Sequence, residues 1–477
     1  MLKNYKNFKE EIVIDFQGIS GYQFSQDCIT DGIISKMLIY GRNATGKTNL
    51  GRALTDIKKT MLGIGYYLGK REILNADSTE DSARFTYEFK FGEQKLVYQY
   101  VKFSDQDLKE EKLIIDDQLI FECDFEQKKY NFENLNYINA ESANIDRYIQ
   151  SMDLEGMENE IPEPVLPFLR WLISNVALEN DSILLKLGSY VRRMTDISAS
   201  NVMAYSPMRV KDSFYEALEE PDRLKDLEDF LNGMGIICKL VLKKLPDGQR
   251  ELYFSHEKLV SFYETASSGT LALVDMYRRL IPKAWTPSFI YLDEFDAFYH
   301  YEMSENVMNF LKKKYPKCQI IMTSHNTNLM TNRLMRPDCL FILSRTGTLT
   351  SLCNATEREL REGHNKDVYG SVKKCVQEID AQFAGNRYYE YCYQANYRKI
   401  VKSERTFKYI SEYANINKIK KILLAYKLFY VGCSRVKKEL TVFVSADKVK
   451  SYKQQFIDTF SKMEFEVCEC KMGLPKN

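Results

Sequence analysis

Alternating or apolar runs at residues 12–16, 36–40, 84–91 and 95–103 have the texture of β-strands, and Phe91-Gly92-Glu93-Gln94 supplies a turn that would join the last two as a hairpin. From about 139 to 233 the pattern lengthens to that of helices, broken by an acidic stretch at 153–163 that holds Pro162, with Pro164 just after it. That stretch reads as an inserted helical subdomain. Strand texture returns at 236–245 and 251–255 around a turn at Asp247-Gly248. A helix over 269–280, a strand at 289–292, a helix at 302–314 and strands at 319–322 and 340–343 follow. This alternation predicts an α/β fold with a largely parallel sheet and helices on its faces. Beyond about residue 356 the chain is again mostly helical, with short strands near 440–445 and 465–468. No repeat, low-complexity tract or sustained heptad is present. Four segments result: 1–138, 139–233, 234–363 and an α-rich extension over 364–477.

A length of 477 residues favours two or three structural units. With 44% apolar and 13% aromatic residues, the chain has the composition of a globular protein with a sizeable core, which excludes wholesale disorder. No apolar run approaches the roughly 18 residues of a membrane helix, and MLKNYKNFKEE lacks the apolar stretch of an export signal, so a cytoplasmic protein with no membrane partner is expected. The 11 cysteines are odd in number and include no Cys-x-x-Cys, which fits reduced thiols; Cys468 and Cys470 form no framework. The net charge of +1 conceals an asymmetry, because from Lys366 onward 22 Lys and Arg face 12 Asp and Glu. That basic tail is either a surface for nucleic acid or an acidic partner, or a solvated lysine face.

The candidate chemistry begins at Gly41-Arg42-Asn43-Ala44-Thr45-Gly46-Lys47-Thr48, which follows an apolar strand and precedes a helix. G-x-x-x-x-G-K-[ST] in that setting is a phosphate loop: glycines let backbone N–H groups close on phosphate oxygens, and the helix directs its positive end at them. Gly41, Asn43, Ala44, Thr45, Gly46, Lys47, Thr48 and the following Asn49 are the candidate nucleotide-binding residues, with Lys47 reaching the terminal phosphates and Thr48 a Mg²⁺. A second motif, Phe289-Ile290-Tyr291-Leu292-Asp293-Glu294, ends an apolar strand in two carboxylates. Asp293 is expected to hold the metal through water, and Glu294 to act as general base. Asp296 and His300 come next, readable as parts of a subunit seam or as a helix cap and a surface histidine.

Thr265-Ala266-Ser267-Ser268-Gly269-Thr270 opens a helix about 24 residues before Asp293. By itself this would be a helix cap, but in this place Ser267, Ser268 and Gly269 resemble the signature of ABC ATPases. Ile320-Ile321-Met322-Thr323-Ser324-His325-Asn326 ends a strand on one of only four histidines, and His325 resembles the switch histidine of the same proteins. His256 has no evident partner.

With four motifs in this order, residues from about 4 to 345 resemble the bacterial ATPases of the OLD, RecF and SMC-like branch of the ABC superfamily, in particular its AAA-15 group. The opening Lys3-Asn4-Tyr5-Lys6-Asn7-Phe8, followed by Glu11-Ile12-Val13-Ile14-Asp15-Phe16, is typical of that group. The resemblance implies an ABC-type head built from 1–138 and 234–363, a homo-oligomer whose heads sandwich ATP and Mg²⁺, and a signature given by each head to the other. The sequence departs from that pattern in two places: the first strand is expected to be short or absent, and the glutamine that many ABC proteins place after the phosphate-loop helix has no assigned counterpart, with Gln94 and Gln99 as candidates, which leaves one Mg²⁺ ligand unassigned. Without heptads a long coiled arm is not expected.

Members of this branch often serve in phage-defence systems of the Septu, PARIS and abortive-infection kinds, where the ATPase restrains a separate effector; others repair DNA. No H-E-x-x-H, HNH-like pair or Toprim acid set occurs, so effector chemistry, a nuclease above all, is expected in a partner. The expectation is an antiphage-defence ATPase that oligomerises and controls an effector; the alternative is a RecF-like or SMC-like repair ATPase that clamps DNA. Residues 428–444, around Arg435, are similar to the last motif of UvrD-like helicases, or else form a basic helix on a strand that docks a partner or nucleic acid. His364 resembles a recurrent element after the head and has no assigned chemistry.

Overall fold

In the computed structural model, residues 1–63, 72–154, 165–198, 212–246, 248–280 and 286–355 are described. They lie in the first of two units, Met1–Gly385 and Asn386–Asn477. Residues 155–164 with their prolines, Asp247, and the extension over 364–477 with His364, Arg435, Cys468 and Cys470 lie outside the described residues.

The first strand is short, as expected: β1 (Leu2–Lys3) pairs antiparallel with Phe85 and Arg84. The strand expected at 12–16 does not form. Only Ile12 bridges back, to Leu2, because β1 offers two residues to pair with and Val13 already faces solvent. A hairpin of β2 (Ile29–Thr30) and β3 (Ile33–Ile34) leads into β4 (Lys36–Tyr40), buried along its whole length. The loop after β4 feeds α1 (Lys47–Leu62), which Gly63 closes in the left-handed conformation.

An antiparallel sheet follows. β5 (Ala83–Phe91) and β6 (Gln94–Lys102) form the expected hairpin, with Gly92 at φ +63° in its turn. β7 (Leu108–Ile115), β8 (Gln118–Asp124) and β9 (Lys129–Asn131) extend it, in the order β1-β5-β6-β7-β8-β9. Sequence pattern did not show these three strands, because the run Lys109-Glu110-Glu111-Lys112 hides the alternation of β7. Glu111 is in fact fully buried.

Helices α2 (Ile145–Leu154), α3 (Phe168–Asn175) and α4 (Ile183–Arg192) come next, and then β10 (Met194–Ser198). The stretch 139–233 was expected to be an inserted helical subdomain. Instead, α3 and α4 pack on α1, and β10 runs parallel to a central strand of the main sheet, Met194 to Ser198 against Phe289 to Asp293. One edge strand, β10, decided this, and five residues with three polar ones carry too little periodicity to reveal it. α5 (Asp212–Glu219) and α6 (Arg223–Gly233) pack with a separate antiparallel sheet of β11 (Leu240–Lys244), β12 (Arg250–Ser255) and β13 (Leu259–Ser261). The chain continues through α7 (Phe262–Thr265), α8 (Ser268–Leu280), β14 (Phe289–Asp293), α9 (Tyr301–Lys314), β15 (Gln319–Ser324), β16 (Leu340–Leu343) and β17 (Leu349–Ser351). The main sheet has the order β10-β14-β15-β4-β16-β17, and all neighbours but β17 are parallel. Its strands β4 and β14 are buried throughout, as in a sheet covered on both faces. No helix among the described residues is long and apolar enough to cross a membrane.

α1 is held from two sides. A Cβ at Gly51 would lie 2.3 Å from the ring of Tyr291 on β14, so only glycine allows this approach, and the Tyr291 hydroxyl donates to the carbonyl of Lys47 at 2.5 Å. On its other face, buried Asp56 accepts from Lys102 Nζ at 2.7 Å, the Tyr100 hydroxyl at 2.8 Å and Thr60 Oγ1 at 3.2 Å. Tyr87 donates to the carbonyl of Ala53 at 2.6 Å. The antiparallel sheet is thereby bound to the helix that follows the loop.

Glu111 fixes α3. Its carboxylate accepts from the N–H groups of Phe168 at 2.6 Å and Leu169 at 3.1 Å, at the positive end of that helix, and from the Tyr98 hydroxyl at 2.8 Å. Burial nevertheless outweighs these bonds and pushes the carboxyl from 4.5 up to about 7. With the folded value above the unfolded one, the folded chain binds the proton more tightly; the resulting stability is present below the ordinary carboxylate range and is lost as pH rises through about 7. Glu111→Gln, neutral at every pH, is expected to lack this fall, a difference of up to about 3 kcal/mol between about pH 5 and pH 8. Urea unfolding at both pH values measures it; parallel pH profiles for the two proteins would refute the assignment.

Candidate functional site

Parallel strands deliver their C-terminal ends to one edge, so β4, β14, β15 and β10 place Tyr40, Asp293, Ser324 and Ser198 at the same rim. There the loop Gly41–Gly46 turns back into α1. Ala44 at φ +66° and Gly46 at φ +101° make the left-handed turns that aim successive N–H groups inward. A Cβ on Gly46 would meet Asn7 and Phe8 at 3.0 and 3.1 Å, and one on Gly41 would meet Thr45 Oγ1 at 2.6 Å. Gly46 caps α1 without a side chain, and no acidic residue stands in the first turn, which leaves the N–H groups of that turn to an anion. Asn43 sits in the loop itself. Asn49 donates to the side chain of Asn7, tying the first turn of α1 to the opening segment.

Lys47 is 4% exposed; its ammonium donates to the carbonyls of Gly41 at 2.8 Å and Arg42 at 3.1 Å and lies 3.4 Å from Glu294. Thr48 Oγ1 donates to Asp293 Oδ2 at 2.5 Å. Thr323 Oγ1 donates to Asp293 Oδ1 at 2.9 Å and accepts from the N–H of Glu294 at 2.8 Å. Glu294 adopts φ +49°, a left-handed conformation that costs a non-glycine residue on the order of 1 kcal/mol and that this hydrogen bond sustains. The carboxylate is thereby turned toward Lys47.

Ser324, the last residue of β15, extends the arrangement. Its hydroxyl donates to Asp296 at 2.7 Å and accepts from the N–H of Asn326 at 2.8 Å, and its carbonyl accepts from the N–H of Gly41 at 3.1 Å. Asp296 is thus a buried acceptor rather than a helix cap, and burial raises its carboxyl above the usual range. His325 stands exposed at the strand tip beside it. His300 precedes α9 without a side-chain cap bond, and His256 is exposed next to Phe254.

The phosphate loop, Asp293, Glu294 and His325 therefore share one rim. Ser267, Ser268 and Gly269 do not join it through any hydrogen bond or ion pair among the described residues. Ser267 caps α8, accepting from the N–H of Thr270 at 3.2 Å, and both serines are exposed. Gly269 packs so closely that a Cβ would lie 2.9 Å from the carbonyl of Phe298. Gln94 and Gln99 are both on β6 of the antiparallel sheet, whereas Asp293 ends β14 of the parallel one. In their place the strand beside β14 ends in Ser198, whose hydroxyl lies 3.4 Å from Asp293 Oδ2. No motif marked Ser198 or Gly51, and the opening segment gave Asn7 no role; their positions follow from strand order and helix packing.

The open first turn of α1, the left-handed loop and the hydroxyls converging on Asp293 fit a nucleotide with its divalent cation. This architecture defines an α/β, phosphate-loop ATPase domain of the AAA kind. The chain belongs to the family described as "AAA domain, putative AbiEii toxin, Type IV TA system", whose model matches residues 36–331, from β4 to just past His325. Similar solved structures include an SMC head bound to the C-terminal winged-helix domain of ScpA, with 12% identity, 74% of this chain and 96% of that one covered, and a TM-score of 0.40. The SMC head domain from Thermotoga maritima has 13% identity, 73% and 96% coverage and a TM-score of 0.35. The Pyrococcus furiosus Smc head with an extended coiled coil, bound to the C-terminal domain of ScpA, has 12% identity, 79% and 98% coverage and a TM-score of 0.36. No curated protein matches the chain.

Thr323→Val keeps the shape of the side chain and removes both hydrogen bonds, leaving the Glu294 N–H and one oxygen of Asp293 without a partner. It is expected to cost about 1–3 kcal/mol of stability, whereas Thr323→Ser stays within about 1 kcal/mol. Denaturant unfolding that ranks the two variants equally would overturn this role.

Proposed function

We propose that the chain binds Mg²⁺ and ATP at this rim, hydrolyses ATP between two paired copies, and uses the cycle to control a separate effector in an antiphage-defence system. The observation that carries the pairing is the division of the motifs. Residues 41–49, Asp293, Glu294 and His325 lie at one sheet rim, while exposed Ser267 and Ser268, with buried Gly269, open a helix that makes no hydrogen bond or ion pair to them among the described residues. A second copy can present that helix start to the terminal phosphate.

In this reading Gly41, Asn43, Ala44, Thr45, Gly46 and Asn49 cradle or border the phosphates through the loop and the start of α1, and Lys47 neutralises their charge. Thr48 and Asp293 hold the cation, which lowers the charge on the phosphates when bound. Glu294 accepts a proton from water as its oxygen attacks the γ-phosphorus; the bond to the β,γ-bridging oxygen breaks, and ADP and phosphate leave. His325 faces the γ-phosphate as a sensor of its presence. The defence setting is supported by the toxin–antitoxin system in the family's description. Co-purification with the product of a neighbouring gene tests effector control. A deletion strain with unchanged phage sensitivity and reduced ultraviolet survival would replace this setting with DNA repair, as would ATP-enhanced, salt-sensitive duplex binding.

Lys47→Ala is expected to abolish nucleotide binding. Glu294→Gln retains ATP and lowers turnover by about a hundredfold or more, since geometry persists and the base is lost; steady-state turnover equal to wild type would remove Glu294 from the reaction. Ser268→Arg is expected to bind ATP as a single copy yet fail to pair, and ATP-dependent dimerisation by this variant in light scattering would count against a shared site.

A further inference from the structure

We propose that Ser198 is an additional oxygen ligand for the divalent cation that accompanies the nucleotide, an inference that rests on the Mg²⁺–ATP reading above. Ser198 is the last residue of β10 and Asp293 the last of β14, and the parallel register pairs the two directly. A hydroxyl that ligates a cation presents a lone pair to the metal, so its proton must find an acceptor elsewhere. Asp293 Oδ2 accepts from Thr48 Oγ1 at 2.5 Å and from Ser198 Oγ at 3.4 Å, while Oδ1 accepts from Thr323 at 2.9 Å. The carboxylate thus orients the hydroxyls of Thr48 and Ser198 in the same way. Mg²⁺ takes about six oxygens at roughly 2.1 Å and keeps few protein ligands beside phosphates and water. Thr48 approaches from α1, and Ser198 from the neighbouring strand on the far side of β14 from β15. Two hydroxyls sharing one acceptor at the sheet rim meet the need for compact, neutral oxygen ligands that leave the phosphates to balance the charge.

The test uses the full chain and the β,γ-imido analogue of ATP, with binding followed by calorimetry as Mg²⁺ is titrated. Ser198→Ala is expected to raise the Mg²⁺ concentration for half-maximal nucleotide binding about tenfold, while affinity in EDTA stays at the wild-type value. Ser198→Cys, with a soft ligand, is expected to shift the preference between Cd²⁺ and Mg²⁺ toward Cd²⁺ by at least about tenfold, a readout that merely disturbed packing would not produce. Wild-type Mg²⁺ midpoints in the alanine variant, or an unchanged metal preference in the cysteine variant, overturn the assignment of Ser198. If that happens while Thr48→Ala still raises the midpoint, the Mg²⁺–ATP reading stands without Ser198. A wild-type chain whose nucleotide binding ignores Mg²⁺ overturns both.

Discussion

The carboxylate of Asp293 is the point on which the rim depends. Three hydroxyls from distant parts of the chain donate to it, those of Thr48, Ser198 and Thr323, at sequence separations of 245, 95 and 30 residues. Each comes from a different element, the first turn of α1, the end of β10 and the end of β15. A buried carboxylate is tolerated only where hydrogen bonds replace its lost water, so folding the rim and solvating Asp293 are the same event. The arrangement also sets Glu294, because the hydroxyl that donates to Asp293 accepts the Glu294 N–H and sustains its left-handed backbone.

Position of the loop depends in turn on α1, which carries Lys47 and Thr48 at its start. Gly51 admits the ring of Tyr291, and the Tyr291 hydroxyl bonds the carbonyl of Lys47, so the strand that ends in Asp293 also grips the helix that presents Thr48. The opposite face is held by Asp56 with Lys102, Tyr100 and Thr60. A buried pair of this kind is weak in net stabilisation, yet removing one partner costs several kcal/mol, which makes it a device for fixing orientation. The antiparallel sheet thereby sets the angle at which the phosphate loop meets the parallel one.

A second buried pair secures the far end of the same sheet. Arg336 binds Asp338 through two nitrogens at 2.7 and 2.8 Å and donates to the carbonyl of Ser20, and Asp338 accepts the Ser20 N–H at 2.7 Å. The segment before β2 is pinned beside the start of β16, which pairs with β4, the strand that leads into the loop. Constraints on the rim thus come from both edges of β4.

The four motifs were readable because each is local: a glycine-rich turn between strand and helix, two carboxylates at a strand tip, a serine pair at a helix start and a histidine after a strand. From these, and from the strand–helix rhythm after residue 234, the sequence by itself determined an α/β class with a phosphate loop and named candidate residues for a nucleotide. Tertiary structure alone decided what depends on neighbours distant in the chain. Strand β10 was hidden because three of its five residues are polar and they gain their place by pairing with β14. Strand β7 was hidden because Glu111 is charged in the sequence and buried in the fold, where helix α3 supplies the donors that make this possible. Ser198 carries no local mark at all, since its proximity to Asp293 exists only through the register of two strands. Only the packed sheet could show which hydroxyls would share that carboxylate.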